Sequence, residues 1–229
     1  MNLLALDTST PRAAVALAAG PRLLVDPGPA GDGPGRHGRN LLPGIAALLA
    51  EAGLVPRDLD AIAVGLGPGS YTGLRVGLTA AKTLAFALGR PLIPLDSFAA
   101  IARNAPPEAA SILVIADAQR GDVYLGEFAP SGDGQPPRPL GPIRLVALAE
   151  WAATLPPGTW VLGAGLDRLR VAWPDHARVG TPDQGHPAAE HLVALGLEGF
   201  RAGRFADPAG VEPAYIRRSA AEDQWDRRA

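Results

Sequence analysis

The sequence predicts an α/β protein of two lobes, each a mixed β-sheet covered by helices. One observation is that the order of elements inferred from the apolar pattern, βββαβα, runs twice along the 229 residues. Another is that each half opens with short apolar runs joined by tight turns, which indicates antiparallel hairpins. Each half then alternates strands with helices, which requires parallel pairs. A plain doubly wound sheet would not begin each half with a meander.

The boundary between the lobes is expected in the stretch 104–108, NAPPE, because its prolines interrupt regular structure. We therefore expect an N-terminal lobe over residues 1–104 and a smaller C-terminal lobe over residues 105–229. A last helix at about 187–202 is expected to pack back on the first lobe.

The first half should contain a meander followed by two strand–helix pairs. Its expected strands are 3–6, 13–18, 23–25, 61–66 and 92–95, and its expected helices are a segment ending near 52, then 72–89 and 97–103. A loop rich in glycine and proline spans 26–38. Two starts stay open for the first helix. It begins late, with Asn40 as its N-cap and Pro43 in its first turn, or it begins earlier and Pro43 kinks it.

The second half repeats this order with weaker patterns. Its expected strands are 112–116, 123–128, 143–146 and 160–162, its expected helices are 148–154, 166–170 and 187–202, and a Pro/Gly loop spans 130–139. Residue identities are not repeated, so the duplication rests on the order of elements alone.

The composition is that of a globular chain, with 47% apolar residues and a mean hydropathy of +0.10. A net charge of −2 argues against a broad basic surface for nucleic acid. The absence of cysteine excludes disulfides, thiolate metal sites and cysteine nucleophiles. The start, MNLLALDTSTP, lacks the basic region of a signal peptide, and no segment reaches the roughly 18 apolar residues of a membrane span. A cytoplasmic location without membrane contact is therefore expected.

The segment 67–73, GPGSYTG, lies between a buried strand and the long helix. A glycine turn before a helix can aim backbone N–H groups at an anion. The strict phosphate motifs fail here, because the only lysine, Lys82, lies inside the helix and neither GxGxxG nor GxSxG fits the spacing. Two interpretations stay open: a tight turn that caps the helix through Ser70 or Thr72, or an anion-binding loop.

The helix at 72–89 carries two apolar stripes. Its core stripe consists of Leu74, Leu78, Ala81, Ala85 and Leu88. A second stripe of smaller residues lies beside it, and the preceding helix repeats this feature. A helix that is apolar nearly all round is buried on several sides, either within a thick domain or against another protein. In the second case the contacting residues are Leu42, Ala46, Leu49, Thr72, Arg75, Val76, Thr79, Ala80, Thr83 and Ala87.

Polar turns after the first strand of each half suggest a cleft between the lobes. Carboxylates in these turns either hold a magnesium ion through water or only cap their turns. The second turn carries Gln119 and Arg120 where a phosphate loop would have glycine, which counts against tight nucleotide binding. No histidine pair has the spacing of a metal motif, so no metal site is predicted. If the turns do form a vestigial nucleotide cleft, its residues are Asp7, Thr8, Ser9, Gly67, Pro68, Gly69, Ser70, Tyr71 and Asp117.

Four segments together resemble the TsaB family, also called YeaZ. They are LLALDTST, GLGPGSYTGLRVGLTAAKTLAFALGRPLIPLDSFAAIA, DAQRGDVY and VEPAYIR, and they span nearly the whole chain. The resemblance implies the two-lobed fold of actin, Hsp70 and the sugar kinases (ASKHA), which accommodates the duplicated order of elements.

The resemblance also implies a cytoplasmic subunit needed for threonylcarbamoylation of adenosine 37 in tRNAs that read codons beginning with A. Such a subunit pairs with the catalytic paralogue TsaD, and the ATPase TsaE joins the pair. It implies no cofactor for the isolated chain, ATP or ADP with magnesium only within the complex, and only indirect contact with tRNA. Alone, a chain with two exposed apolar stripes should form a homodimer.

The chain departs from the catalytic paralogue at its site. TsaD-like proteins hold a metal with a pair of histidines after the first meander, where this chain offers only His37. The glycine-rich second phosphate loop is replaced by Gln119 and Arg120. These departures predict a degenerate active site and an accessory subunit rather than an enzyme. The alternatives are an ATP-dependent kinase-like enzyme that uses Asp7 and the 67–73 loop, and a metallopeptidase, for which the histidine spacing gives no motif.

Overall fold

The first lobe is a five-stranded mixed sheet in the order β3-β2-β1-β4-β5. The computed structural model describes residues 1–26, 37–130, 135–169 and 171–217, with side chains from residue 40 onward in the second range. The strands are β1 Asn2–Asp7, β2 Ala14–Ala19, β3 Arg22–Val25, β4 Ala61–Gly65 and β5 Leu92–Leu95. The meander is antiparallel, whereas β4 pairs in parallel with β1 and β5. The predicted mixed sheet is confirmed. Most of the predicted loop at 26–38 lies outside the described residues.

Two long helices, α1 His37–Ala52 and α2 Tyr71–Leu88, cover one face of this sheet. Four residues of the predicted core stripe of α2 are buried, while Leu88 is half-buried. Because α1 begins at His37, Pro43 lies inside the helix, and the interpretation with Asn40 as the N-cap is wrong. Among the described residues, no helix is long and apolar enough to cross a membrane.

The second lobe repeats the same strand order around β6, with β7 antiparallel and β10 parallel to it. Its strands are β6 Ser111–Asp117, β7 Asp122–Ala129, β8 Arg138–Pro139, β9 Arg144–Ala147, β10 Thr159–Leu162 and β11 Arg178–Val179. The sequence did not predict the two-residue strands β8 and β11. One short helix, α4 Leu148–Ala152, packs on this sheet. The helix predicted at 166–170 is only a 3₁₀ turn, Leu166–Arg168, preceded by Gly165 in the left-handed region.

Two further helices contact each other and pack on the sheets. The short α3, Ser97–Ala102, packs Phe98 and Ile101 against the second sheet. The last helix, α5 Ala189–Arg201, packs Leu192 on the first sheet beside Leu3 and Ile93. The packing is close, because a Cβ at Gly199 would lie 2.6 Å from the side chain of Ile93. The helix that follows the second sheet in sequence thus completes the core of the first lobe.

Candidate functional site

The glycine turn between β4 and α2 packs directly on the turn that follows β1. A Cβ at Gly69 would lie 2.2 Å from the carbonyl oxygen of Ser9, and one at Gly73 would lie 2.0 Å from that of Thr8. The N–H of Ser70 donates to the Ser9 carbonyl oxygen at 2.7 Å. The glycines therefore allow two backbones to approach, and the Ser70 N–H is bonded within the chain rather than directed at an anion.

Of the two predicted caps of α2, Ser70 is the one used. Its hydroxyl accepts the Gly73 N–H at 3.1 Å, whereas Thr72 is exposed on the first turn. The Thr8 hydroxyl also donates to the Gly73 carbonyl oxygen at 2.7 Å. The first turn of α2 is thus fastened to the end of β1, which supports the interpretation as a tight turn and cap.

Asp7 is buried and links neighbouring segments through hydrogen bonds. Its side chain is 1% exposed. One carboxylate oxygen accepts the Ser9 N–H at 2.7 Å, and the other accepts the Ser97 hydroxyl at 2.5 Å. The Ser97 oxygen in turn accepts the Gly67 N–H at 2.9 Å. Asp7 therefore joins β1, the glycine turn and α3 rather than facing the cleft.

The second carboxylate of the predicted cleft, Asp117, is exposed and accepts the Gln119 N–H at 2.6 Å. Both carboxylates thus fit the interpretation as turn caps. Within the described ranges, no three His, Asp or Glu side chains lie close enough together to hold a metal ion.

Burial raises the pKa of Asp7 above its ordinary value, and hydrogen bonds from Ser9 and Ser97 only partly oppose this shift. The folded protein therefore binds this proton at a pH where the unfolded chain has lost it. The free energy of unfolding then falls as the pH rises from the ordinary aspartate range through the raised pKa. In the Asp7→Asn variant this contribution is absent. We expect the Tm of the variant, relative to the parent, to increase as the pH rises from about 4, the ordinary aspartate range, through the raised pKa of Asp7.

Calorimetry across this pH range checks the prediction. The neighbouring Asp96 caps α3, and burial and the charge of Asp7 both raise its pKa, so part of the difference between the two proteins comes from Asp96. Parallel Tm profiles for parent and variant would show that Asp7 does not carry the pH dependence.

A cleft of about 1110 Å³ lies between the lobes. Six of the predicted cleft residues line it: Ser9, Pro68, Gly69, Ser70, Tyr71 and Asp117. Asp7, Thr8 and Gly67 do not line it. The predicted bulky turn of the second lobe also lines the cleft, and both Gln119 and Arg120 have left-handed backbone conformations. The cleft is therefore present. Bulky side chains line its wall in the second lobe, and the glycine turn, which packs on the turn after β1, lines its wall in the first lobe.

The predicted contact residues of α2 lie on its solvent side. Thr72, Arg75, Thr79, Thr83 and Ala87 are exposed, and Val76 and Ala80 are half-buried at the edge of the core. On α1, Leu42 is 57% exposed and Ala46 is also exposed.

One predicted contact residue needs correction. Leu49 is only 5% exposed and belongs to the core beneath α1, so it is not part of the exposed surface. The side of α1 that carries Leu49 faces the core, because α1 packs against both β2 and α2.

Sequence reasoning missed Phe86, which is 84% exposed on α2. It lies on the same side of the helix as Thr79 and Thr83, since residues three or four apart share a face. The sequence did offer a signal for Phe86. It is an aromatic residue outside the core stripe of α2, on a side of the helix where most residues are small.

Comparisons with known proteins agree with this geometry. A family model for TsaD, tRNA N6-adenosine threonylcarbamoyltransferase, matches residues 34–133. The tRNA threonylcarbamoyladenosine biosynthesis protein TsaB of Bacillus subtilis (strain 168) is 33% identical over 82% of this chain and 83% of its own length. The chain belongs to the TsaB family. TsaB of Escherichia coli (strain K12) is 28% identical over 96% of each chain.

A solved structure extends the agreement to three dimensions. YeaZ from Pseudomonas aeruginosa is 30% identical, with a TM-score of 0.78 over 93% of this chain and 99% of that chain. The TsaB (YeaZ) resemblance and the two-lobed ASKHA-like fold are thus confirmed. In this TsaB-family chain, the region that matches TsaD contains both long helices and the glycine turn. It leaves out α5 and the segment 211–217, which contacts both lobes.

Proposed function

We propose that this chain is a non-catalytic partner subunit for threonylcarbamoylation of adenosine 37 in tRNAs that read codons beginning with A. It docks the catalytic paralogue TsaD through the exposed faces of α1 and α2 and helps to recruit the ATPase TsaE. The observation that carries the proposal is the exposed, nearly uncharged surface of these two helices in a TsaB-family chain.

The surface of α1 supports docking because residues 40–50 contain no charged side chain, although five of them are exposed. Those five are Leu42, Pro43, Ala46, Ala47 and Ala50. A solvated helix normally carries charges on its outer face, and exposed apolar patches commonly mark interaction sites.

The surface of α2 has the same character. Its only charged residues are Arg75 and Lys82, and Lys82 donates to the carbonyl oxygen of Val211 at 3.1 Å. Around Phe86 the exposed residues are small and uncharged, which would let a second helix approach closely. An aromatic residue surrounded by small neighbours has the composition of an interface hot spot.

The absence of catalysis is supported by the closed glycine turn and by the burial of Asp7. The Asp7 carboxylate accepts hydrogen bonds from Ser9 and Ser97, and the Ser70 N–H of the glycine turn donates to the Ser9 carbonyl oxygen, so neither group is free to bind a nucleotide. We therefore propose that the isolated chain needs no cofactor, and that ATP or ADP with magnesium acts only within the complex. Contact with tRNA is then indirect, and the chain works in the cytoplasm beside TsaD. A kinase-like activity would instead require sub-millimolar binding of magnesium ATP to this chain alone, which calorimetry measures.

Co-expression with TsaD from the same source tests the proposal. A stable complex is expected by size-exclusion chromatography, and TsaD with TsaE should modify tRNA only when this chain is added. Full modification without this chain, or no association with TsaD, would overturn the proposal.

Without its partner, this chain is expected to self-associate through the same helix faces. Light scattering at micromolar concentration should give twice the chain mass of 23.6 kDa, and adding TsaD should replace the homodimer by a heterodimer. A strictly monomeric chain would count against the proposed surface.

A further inference from the structure

The strand β3 forms one edge of the first sheet. In the part of the chain that the structure describes, β3 pairs only with β2, so no strand lies along its other edge there. Two of its side chains, Leu23 and Val25, are 45% and 44% exposed. An open edge strand with exposed apolar side chains is a template for pairing with another strand. The edge of β3 is therefore a candidate interaction surface.

The backbone groups at this open edge belong to Leu23 and Val25. The N–H of Asp26 donates to the carbonyl oxygen of Val15 at 3.0 Å, so the backbone of Asp26 faces β2. In an antiparallel pair this direction alternates from one residue to the next. Leu24 therefore faces β2 as well, whereas the N–H and C=O groups of Leu23 and Val25 point outward. Each of these two residues presents one donor and one acceptor to a further strand.

The exposed side chains of β3 lie on the α5 face of the sheet. Leu23 and Val25 pair with Ala18 and Ala16 of β2, which belong to the apolar cluster that includes residues of α5. Directly opposite residues of an antiparallel pair point to the same face. The two exposed side chains therefore extend this cluster to the edge of the sheet, where apolar side chains of an added strand can pack against them.

The segment from Arg22 to Asp26, RLLVD, is complementary to itself when two copies run antiparallel. With Leu24 at the two-fold axis, Leu23 of each copy lies opposite Val25 of the other. These are the residues whose backbone groups point outward, so each opposite pair can exchange two N–H···O=C bonds. At the ends of the paired strands, Arg22 of each copy lies opposite Asp26 of the other.

The charges at the two ends favour the antiparallel direction. Arg22 is exposed, and Asp26 is half-buried beside α1, where a Cβ at Gly44 would lie 2.2 Å from its carboxylate. Antiparallel pairing brings opposite charges together across the strands, which is stabilising. Parallel pairing in register would place Arg22 opposite its own copy, and like charges directly opposite are destabilising.

We propose that β3 pairs with β3 of a second copy of this chain and joins the two first-lobe sheets into one continuous sheet. Each copy contributes one short strand, so the interface is small and transient, with a Kd on the order of 100 μM. The pairing therefore forms at higher concentrations than the homodimer through the helix faces. Its contacts come from β3 rather than from α2, so it does not depend on docking of TsaD.

Single-cysteine crosslinking tests the pairing, because the chain has no cysteine of its own. In the proposed register the Cα atoms at position 24 of the two copies lie about 4.5 Å apart, which a disulfide can span. Leu24→Cys, oxidised mildly at a concentration near the proposed Kd, should give a disulfide-linked dimer on a non-reducing gel. Both this variant and its control carry Phe86→Asp, which removes the proposed helix contact, so the link reports the strand pairing alone.

The matched control is Leu145→Cys. Leu145 is 40% exposed on β9, an edge strand of the second lobe, and should stay unlinked under the same conditions. Adding Val25→Pro to Leu24→Cys should lower the yield of linked dimer about tenfold, because proline removes an outward N–H and blocks the edge. Leu23→Lys should have the same effect without changing the backbone.

Circular dichroism verifies that each variant is folded. Linking of Leu24→Cys no greater than that of Leu145→Cys would overturn the proposal. An edge that is already covered within the chain would give this result at every concentration. Linking that neither Val25→Pro nor Leu23→Lys reduces would overturn it too, because the contact would then not be made through the edge of β3.

Discussion

Replacing Phe86 by aspartate is expected to weaken the binding of this chain to TsaD by about a hundredfold while leaving the fold intact. Phe86 is 84% exposed in the free chain, so its removal costs the isolated fold little. Burying a phenylalanine at an interface contributes roughly 2–3 kcal/mol, and a carboxylate in its place would also have to lose its hydration. A hundredfold change in Kd corresponds to about 2.7 kcal/mol.

Titration calorimetry of the variant against purified TsaD measures this effect. Leu140→Asp is the matched control, because Leu140 is also an exposed apolar residue, 56% accessible, but lies beyond β8 in the second lobe. The control should bind like the parent. Unchanged affinity for Phe86→Asp, with an unchanged thermal transition, would remove α2 from the proposed docking surface.

Replacing Gly73 by alanine is expected to destabilise the fold by about 3 kcal/mol. The added methyl group would lie 2.0 Å from the carbonyl oxygen of Thr8. That oxygen belongs to the backbone, so it cannot move away as the tip of a flexible side chain would. Relief requires shifting α2 away from β1, which strains the hydrogen bond from the Thr8 hydroxyl to the Gly73 carbonyl. For a chain of this length the loss corresponds to roughly 10 °C in Tm.

Differential scanning calorimetry measures the loss, with Gly141→Ala as the control. Gly141 has no atom within 4 Å of an added Cβ and no left-handed backbone, so its Tm should stay close to that of the parent. A Gly73→Ala variant as stable as the parent would mean that the two turns are not packed together. The glycine turn could then no longer be interpreted as a structural element that packs on the turn after β1.

The periodic parts of the fold could be predicted because they are local. Leu74, Leu78, Ala81 and Ala85 repeat at helical spacing, and all four are buried on the core side of α2. The hairpins and parallel pairs of both sheets, apart from those that involve β8 and β11, followed from the alternation of short apolar runs with turns and helices. The second lobe was less predictable, since the residues after Gly165 form only a three-residue turn where a helix was expected.

The candidate site shows where local patterns stop being informative. Leu49 and Phe86 both lie on apolar helices, yet one is buried and the other is exposed. Their positions depend on how α1 and α2 pack on β2, β4 and each other, which involves residues far apart in the chain. The four arginines that line the interlobe cleft, Arg75, Arg120, Arg168 and Arg217, come from separate segments, so no spacing in the sequence could have grouped them.

By itself, the sequence determined the family, the α/β class and the duplicated order of elements, because motifs and apolar periods are properties of neighbouring residues. It also determined that no strict phosphate motif is present in the glycine turn. Only the tertiary structure decided what that turn does. Thr8 and Gly73, 65 residues apart, are joined by a hydrogen bond, and the backbone of the first turn fills the space at the second. Such contacts arise when β1 and β4 pair in one sheet, and this long-range pairing makes the glycine turn structural.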